Sequence, residues 1–290
     1  MALKTILNVS YVEPLIGLYP KQSLLQPMWD VILRFVSSDV LQSPLLPIIF
    51  SVSFYFICCF PFMIVDIYGK KWYWIQKYKI QPTKEVTWSQ VYDTLYVTMW
   101  NHLFLILPMT IVQAFVTPLT VIPENAPGMW EFCWQITLFM LIFDLEYYVW
   151  HYVHHRNRFL YNHFHALHHR YYSPFSWVTQ YLHPWELLSV GVFVTTTPWV
   201  IADCHPLTAW GFMVTNIIVS IEAHIGFDFP WSLHHWCPFG LWGGAPKHDM
   251  HHQRPQSNYQ PFFTHFDRLF GTSTSFRYAG GVIENKKKII

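Results

Sequence analysis

Leu45-Leu-Pro-Ile-Ile-Phe-Ser-Val-Ser-Phe-Tyr-Phe-Ile-Cys-Cys-Phe-Pro-Phe-Met-Ile-Val65 is a run of 21 residues without a charged side chain. A helix needs about 20 apolar residues to cross a bilayer core, so this stretch is long enough to span one. Lys70, Lys71, Lys77, Lys79 and Lys84 follow it, and the positive-inside rule places such a loop in the cytosol. The residues before Leu45 are then lumenal. Asn8-Val9-Ser10 lies among them and is the one Asn-x-Ser/Thr acceptor in the chain, so Asn8 is the expected glycosylation site. Met1 to Tyr11 lacks an apolar core of signal-peptide length, which makes the first span an expected uncleaved anchor.

Further apolar stretches run from about Leu95 to Val116 and from about Phe132 to Trp150, joined by a turn-rich loop from Pro118 to Gly128. Leu187 to Ala202 and Leu207 to Ile221 form a second pair around Asp203-Cys204-His205-Pro206. Each pair is a hairpin that returns the chain to the side it left. The expected fold is therefore all-α: a polytopic helical integral membrane protein of about five membrane segments, one span plus two hairpins. Residues 1–44 form a lumenal segment, 45–274 a membrane-embedded domain, and 275–290 a cytosolic tail. Parity puts Trp150–Glu186 and Glu222–Ile290 on the cytosolic side. The last residues, Lys287-Lys288-Ile289-Ile290, resemble the dilysine retrieval signal of endoplasmic reticulum membrane proteins, which is read in the cytosol.

Composition agrees with a membrane setting: 52% hydrophobic, 19% aromatic and 12% charged residues, against roughly 25% charged in soluble domains. Abundant Trp and Tyr suit a membrane interface. A net charge of +1 gives no basic field, which argues against nucleic-acid binding. The five cysteines show neither metal spacing nor a disulfide framework.

Of 17 histidines, all but His102 fall between His151 and His265. Three runs dominate: His151-Tyr-Val-His-His155, His165-Ala-Leu-His168-His169 and His248-Asp-Met-His251-His252. Residues three and four apart share a helix face, so each run points imidazoles one way at the cytosolic mouth of the helices. His151, His155, His165, His168, His169, His224, His248, His251 and His252 are the candidate metal ligands, more than one ion needs, which points to two ions. Imidazole suits iron, copper, nickel and zinc alike, so the ligand type leaves the metal open. Asp144, Glu222 and Asp228 are the carboxylates placed to support ligand imidazoles, with Asp228 also a candidate direct ligand. Asp249 is expected to face solvent, and His102 to bond between helices. His154, His163, His183 and His205 are expected away from the site, while His234, His235 and His265 are expected on the cytosolic side, as polar surface or supporting contacts ahead of lining the substrate entrance.

Beyond the runs, several motifs carry a resemblance: Leu24-Leu25-Gln26-Pro27-Met28-Trp29-Asp30, Leu41-Gln42-Ser43-Pro44, the Trp150–His155 box, Cys204-His205-Pro206-Leu207-Thr208, Phe239-Gly240-Leu241-Trp242-Gly243-Gly244, Phe263-Thr264-His265-Phe266-Asp267 and Leu269-Phe270-Gly271-Thr272. Over about residues 24–274, the chain resembles the fatty acid hydroxylase and sterol desaturase superfamily of membrane di-iron oxygenases, and within it the cholesterol 25-hydroxylase family. The resemblance implies two iron ions held by the nine histidines. It also implies dioxygen and NADPH as co-substrates, a separate NADPH-dependent reductase, and cholesterol or a related sterol hydroxylated on its side chain. Two departures stand out: Lys247 occupies a position where relatives often carry histidine, and Ile225 replaces a small polar residue beside His224. The absence of a Gly-x-Gly-x-x-Gly dinucleotide motif fits a separate reductase. Rival readings are a related sterol or lipid oxidase (4-methylsterol oxidase, sterol desaturase or fatty-acyl hydroxylase), a membrane zinc hydrolase using metal-bound water, and a metal transporter. The last would place ligands within the spans rather than at their ends.

Overall fold

The computed structural model describes residues 23–116, 121–191 and 204–274, together with the backbone of 277–279 and 282–284. Four of its helices are long and apolar enough to cross a membrane, which makes this a helical membrane protein. We number the principal helices α1 (Gln26–Phe35), α2 (Leu45–Tyr68), α3 (Trp88–Val116), α4 (Met129–Arg156), α5 (Pro206–His224), α6 (Gly244–Gln253) and α7 (His265–Leu269). The expected segment from Leu187 to Ala202 begins as helix over 184–191, and 192–203 lie outside the described residues, as do Asn8 and the terminal lysines. Near the end of the chain, Arg277–Ala279 and Val282–Glu284 pair as a two-stranded antiparallel hairpin, with Tyr278 opposite Ile283. Apart from this short hairpin the described residues form helices and their connections, and the all-α expectation holds.

The helices begin and end where local chemistry dictates. α3 starts at Trp88, earlier than its apolar run, because Thr87 and Gln90 close a reciprocal capping box. The same helix widens into a π-turn over His102–Ile106, where the Leu107 amide reaches the His102 carbonyl. Pro108 follows directly; a proline ring inside a helix clashes with the carbonyl four residues back, and the wider turn relieves that conflict. His102 donates from Nδ1 to the Thr98 carbonyl of its own helix at 2.7 Å, not across to another helix as expected. α5 opens on His205, whose Nδ1 accepts the Leu207 amide, with Pro206 at the first helical position.

Much of α2 and α3 is lipid-facing, with Ile57, Phe60, Tyr96, Phe104 and Phe115 exposed. α4 and α5 are buried more deeply and pack on each other through Phe139, Phe143 and Phe212. At one end of the bundle, α1 sits on the turn-rich loop: Trp29 Nε1 donates to the Pro123 carbonyl at 2.8 Å and Gln26 Oε1 accepts the Ala126 amide at 2.7 Å. His205 joins them through the Asn125 carbonyl. At the other end, the loop after α2 pairs with the loop after α5: the Ile80 amide donates to the Gly226 carbonyl, and the Asp228 amide to the Tyr78 carbonyl. α1, the turn-rich loop and the start of α5 thus meet at one end, and the loops after α2 and α5 meet each other.

Gly226 has a φ of +71°, and a Cβ there would lie 2.7 Å from the Pro174 carbonyl oxygen. Both the left-handed backbone and the close approach require glycine. Gly226→Ala is expected to destabilise the protein by more than about 1 kcal/mol, read as a lowered thermal unfolding midpoint of the detergent-solubilised protein.

Candidate metal centre

α4 delivers the first two imidazoles. His151 and His155 are one helical turn apart, and their Nε2 atoms lie 3.1 Å from each other. His154, between them, instead stacks on Trp150 and takes the Trp185 indole N–H. The helix ends at Asn157, whose side chain caps the next turn by accepting the Phe159 and Leu160 amides. A π-turn over Tyr161–His165 and a tight turn over His168–Arg170 follow. This change of helical pitch sends His165 and His169 one way and His168 the other. α5 contributes His224 at its last residue, and α6 contributes His248, His251 and His252.

The nine rings divide into two sets. His151, His155, His165, His169 and His251 converge on one point, and His168, His224, His248 and His252 on another, with the donor atoms of each set within 4.8 Å of one another. All nine candidates from the sequence are brought together. The sets do not follow the runs: the His165–His169 and His248–His252 runs each serve both. Neighbouring rings such as His168 and His169, 5.5 Å apart between centroids, place the two sets side by side.

The protonation pattern follows from the other ring nitrogens. Nδ1 of His151 lies 2.7 Å from the Tyr259 carbonyl, that of His251 2.7 Å from Ser257, that of His224 2.7 Å from Ser220, and that of His252 3.1 Å from Tyr171. A carbonyl only accepts, so each of these Nδ1 atoms carries the proton and each Nε2 presents a lone pair. His165 does the same toward a carboxylate, with Nδ1 3.0 Å from Glu186 Oε1, both side chains fully buried. The Nε2 atoms then face one another at 2.9 Å (His165 to His155, and His248 to His224), 3.0 Å (His169 to His165) and 3.2–3.3 Å (His251 to His169, and His224 to His168). In each of these pairs one ring, His165, His224 or His251, has its Nε2 fixed as an acceptor, and a cation between the rings lets both present a lone pair. Donors at about 2.0–2.1 Å from one ion stand about 3.3 Å apart in a tetrahedron, and closer at higher coordination. The donor set therefore fits metal ions in both places.

Burial enforces the neutral form of the rings. Outside the spans, desolvation pushes His165, His168, His169, His248 and His252 well below the ordinary imidazole range, and each neighbouring ring adds to the effect. Burial likewise pushes His251 down to about 4.

The carboxylates take different places. Asp144 touches no imidazole: it accepts the Phe262 and Phe263 amides at 3.1 Å and the Gln260 side chain, holding the loop that offers the Tyr259 carbonyl to His151. Asp228 lies with His234 and His235, not with His224. Glu222 is buried at the end of α5, facing the Ser232 hydroxyl, the Trp242 indole and the Ala245 amide rather than a ligand ring. Asp249, expected at the surface, is fully buried and bound by Gln81 and Gln253; a short loop from the α2 side covers it. Lys247 turns away to the Ser273 hydroxyl and the Thr274 carbonyl. Sequence reasoning missed Glu186. The signal available was a single acidic residue at the mouth of an apolar segment, where an ionisable group needs a partner.

With this geometry in hand, comparison with known proteins is decisive about family. The fatty acid hydroxylase family model matches residues 136–272. A zebrafish (Danio rerio) cholesterol 25-hydroxylase-like protein 1, member 2, is 45% identical over 89% of this chain and 93% of its own length. The cholesterol 25-hydroxylase of Homo sapiens is 38% identical over 87% of this chain and 91% of its own, and that of Mus musculus 38% over 88% and 84%. The chain belongs to the cholesterol 25-hydroxylase family. No solved structure matches it. Membership in this cholesterol 25-hydroxylase family, with its fatty acid hydroxylase domain, makes the chain a hydroxylase of the sterol and lipid class.

Two outcomes follow from the site's construction. Removing the acceptor on His165, as in Glu186→Ala, is expected to weaken metal retention by about 10–100-fold, measured by metal content after dialysis against a graded chelator, with Glu186→Gln closer to wild type. For the metal-free protein, rings whose values fall on folding make the unfolded state the stronger proton binder below about 6.5. Stability is then level above about pH 6.5 and falls as the pH drops toward 4; denaturant midpoints across that range test it.

Proposed function

We propose that this protein is a membrane di-iron monooxygenase that hydroxylates the side chain of cholesterol to give 25-hydroxycholesterol. The observation that carries the reading is the pair of imidazole sets, each with Nε2 lone pairs converging in a buried site, in a chain whose relatives include proteins named cholesterol 25-hydroxylase. His151, His155, His165, His169 and His251 would hold one iron, and His168, His224, His248 and His252 the other. The ions would supply activation of dioxygen at a site facing the substrate.

The chain's own part is to hold, orient and exclude. The carbonyls of Tyr259, Ser257, Ser220 and Tyr171 and the carboxyl group of Glu186 keep the Nδ1 protons in place, so Nε2 stays available as a ligand. Asp144 stabilises the loop behind His151 at one remove. Asp93 does so behind His252: it accepts the hydroxyls of Tyr171 at 2.6 Å and Tyr181 at 2.8 Å, tying α3 to the segment whose carbonyl meets His252. Eight of the nine rings are buried and His169 is half-buried, which shields the reacting centre from bulk water. Regiochemistry then rests on how the apolar surroundings position the sterol, because orientation decides which C–H bond is attacked.

In the overall reaction, one oxygen atom of dioxygen enters the new C–OH bond and the other leaves as water. Two electrons come from NADPH through a separate reductase, and two protons are consumed. The lysines after α2, the possible acceptor at Asn8 and the Lys287-Lys288 tail together support an endoplasmic reticulum membrane setting, with the N-terminus lumenal and the histidines cytosolic.

Microsomes containing the protein, incubated with cholesterol, NADPH and oxygen, are expected to yield 25-hydroxycholesterol by mass spectrometry. His168→Ala and His251→Ala, one from each set, should each lower that product by more than about 100-fold. A different oxidised sterol or acyl lipid would move the assignment to a related oxidase. Zinc in the purified protein with oxygen-independent hydrolysis would overturn it.

A further inference from the structure

Three metal-binding side chains meet outside the nine-histidine centre: Asp228, His234 and His235. Oδ1 of Asp228 lies 2.9 Å from Nε2 of His234 and 2.8 Å from Nε2 of His235. The two rings stand 4.0 Å apart, tilted by 40°. Their backbone is held on both sides: the Asp228 amide donates to the Tyr78 carbonyl, and the two histidines sit on the short helical turn Leu233–Trp236. A cleft of about 340 Å³, lined by Tyr78, Asp228, Pro230, His235 and Trp236, opens on the same group.

A second observation comes from behind His234. Its Nδ1 is buried with no hydrogen-bond partner, and both carboxylate oxygens of Glu222 are buried nearby. Gly244 lies between the two, with a φ of +59°; a Cβ on it would fall 2.6 Å from His234 Nδ1 and 3.2 Å from Glu222 Oε1. The missing side chain leaves room for the imidazole and the carboxyl group on either side of Gly244.

The tautomers of His234 decide what this arrangement is for. With the proton on Nε2, His234 can donate to Asp228, and its buried Nδ1 is left as a lone pair without a donor. With the proton on Nδ1, the Nε2 lone pair faces Asp228 Oδ1 at 2.9 Å, and two acceptors oppose each other. A cation between Nε2 and Oδ1 removes the conflict, and the result is the carboxylate–imidazole–metal arrangement in which an outer acid orients a ligand ring. A second proton on His234 is the rival resolution.

We propose that Asp228, His234 and His235 bind one divalent first-row transition-metal ion, with Glu222 orienting His234. Two imidazoles and one carboxylate suit zinc and its neighbours rather than calcium or magnesium, which prefer all-oxygen sites. Tetrahedral bonds of about 2.0–2.1 Å would spread the donors to about 3.3 Å, a few tenths beyond the spacing seen, and the cleft leaves room for water as the fourth ligand. Such an ion would clip the loop after α5 to the turn that follows it.

Zinc is the probe. Full-length wild type, His235→Ala and Asp228→Asn are dialysed in detergent against buffered zinc, and bound metal is counted by mass spectrometry. Each variant is expected to hold one equivalent less than wild type, and Glu222→Gln to weaken binding of that equivalent by about 10-fold or more. The count is a difference, so it does not depend on how many ions, or which, the nine histidines hold. His235 is 41% exposed, so its truncation leaves the fold intact. Equal metal content in wild type and both variants would overturn the proposal in favour of a protonated, hydrogen-bonded pair. Loss of all bound metal would overturn it too, because the site would then not be separate from the main centre.

Discussion

Crowding nine neutral imidazoles into one buried volume is unfavourable unless each ring is told which nitrogen carries its proton. For five of the nine, the carbonyls of Tyr259, Ser257, Ser220 and Tyr171 and the carboxyl group of Glu186 give that instruction. Each fixes a donor on the outer side of a ring and so turns a lone pair inward. With these contacts five acceptors are fixed inside, three in one set and two in the other, and cations satisfy them together with the four remaining rings.

Much of the remaining structure serves those outer contacts. Asp144 and Gln260 shape the loop that presents the Tyr259 carbonyl. Asp267 reinforces it by accepting the Tyr259 and Gln260 amides at 2.9 and 2.8 Å. Asp93 anchors Tyr171 from α3, and Gln81 crosses from the loop after α2 to Asp249 on α6. Gly226 allows the strand-like contact between residues 78–80 and 226–228. Buried polar groups of this kind are costly when unpaired, which explains why they occur as linked networks.

The spans were legible because a charge-free run the length of a bilayer has few other uses, and Leu45–Val65 appears as the core of α2. The nine histidines were legible because three- and four-residue spacing puts rings on one face. What sequence could not show is the sharing between runs. The π-turn at Tyr161–His165 separates His168 from its neighbours, and hydrophobic periodicity carries no trace of it. Nor could spacing find Glu186, whose partner His165 is 21 residues away. The same applies to Asp228, which neighbours His224 in sequence but turns to His234 and His235. Asp249 looked exposed because it lies off the ligand face of α6, yet a glutamine from a distant loop covers that flank. In each case a contact between distant segments decided the outcome.

The division of the runs between the two sets has a consequence for how the protein matures. His251 completes the five-ring set, and His248 and His252 complete the other, so neither is whole until α6 has been made and folded back onto α4 and α5. A ribosome must release α6 before either place can grip a metal at full strength. Metal loading therefore waits on that helix, and a truncation that removes it forfeits both places together.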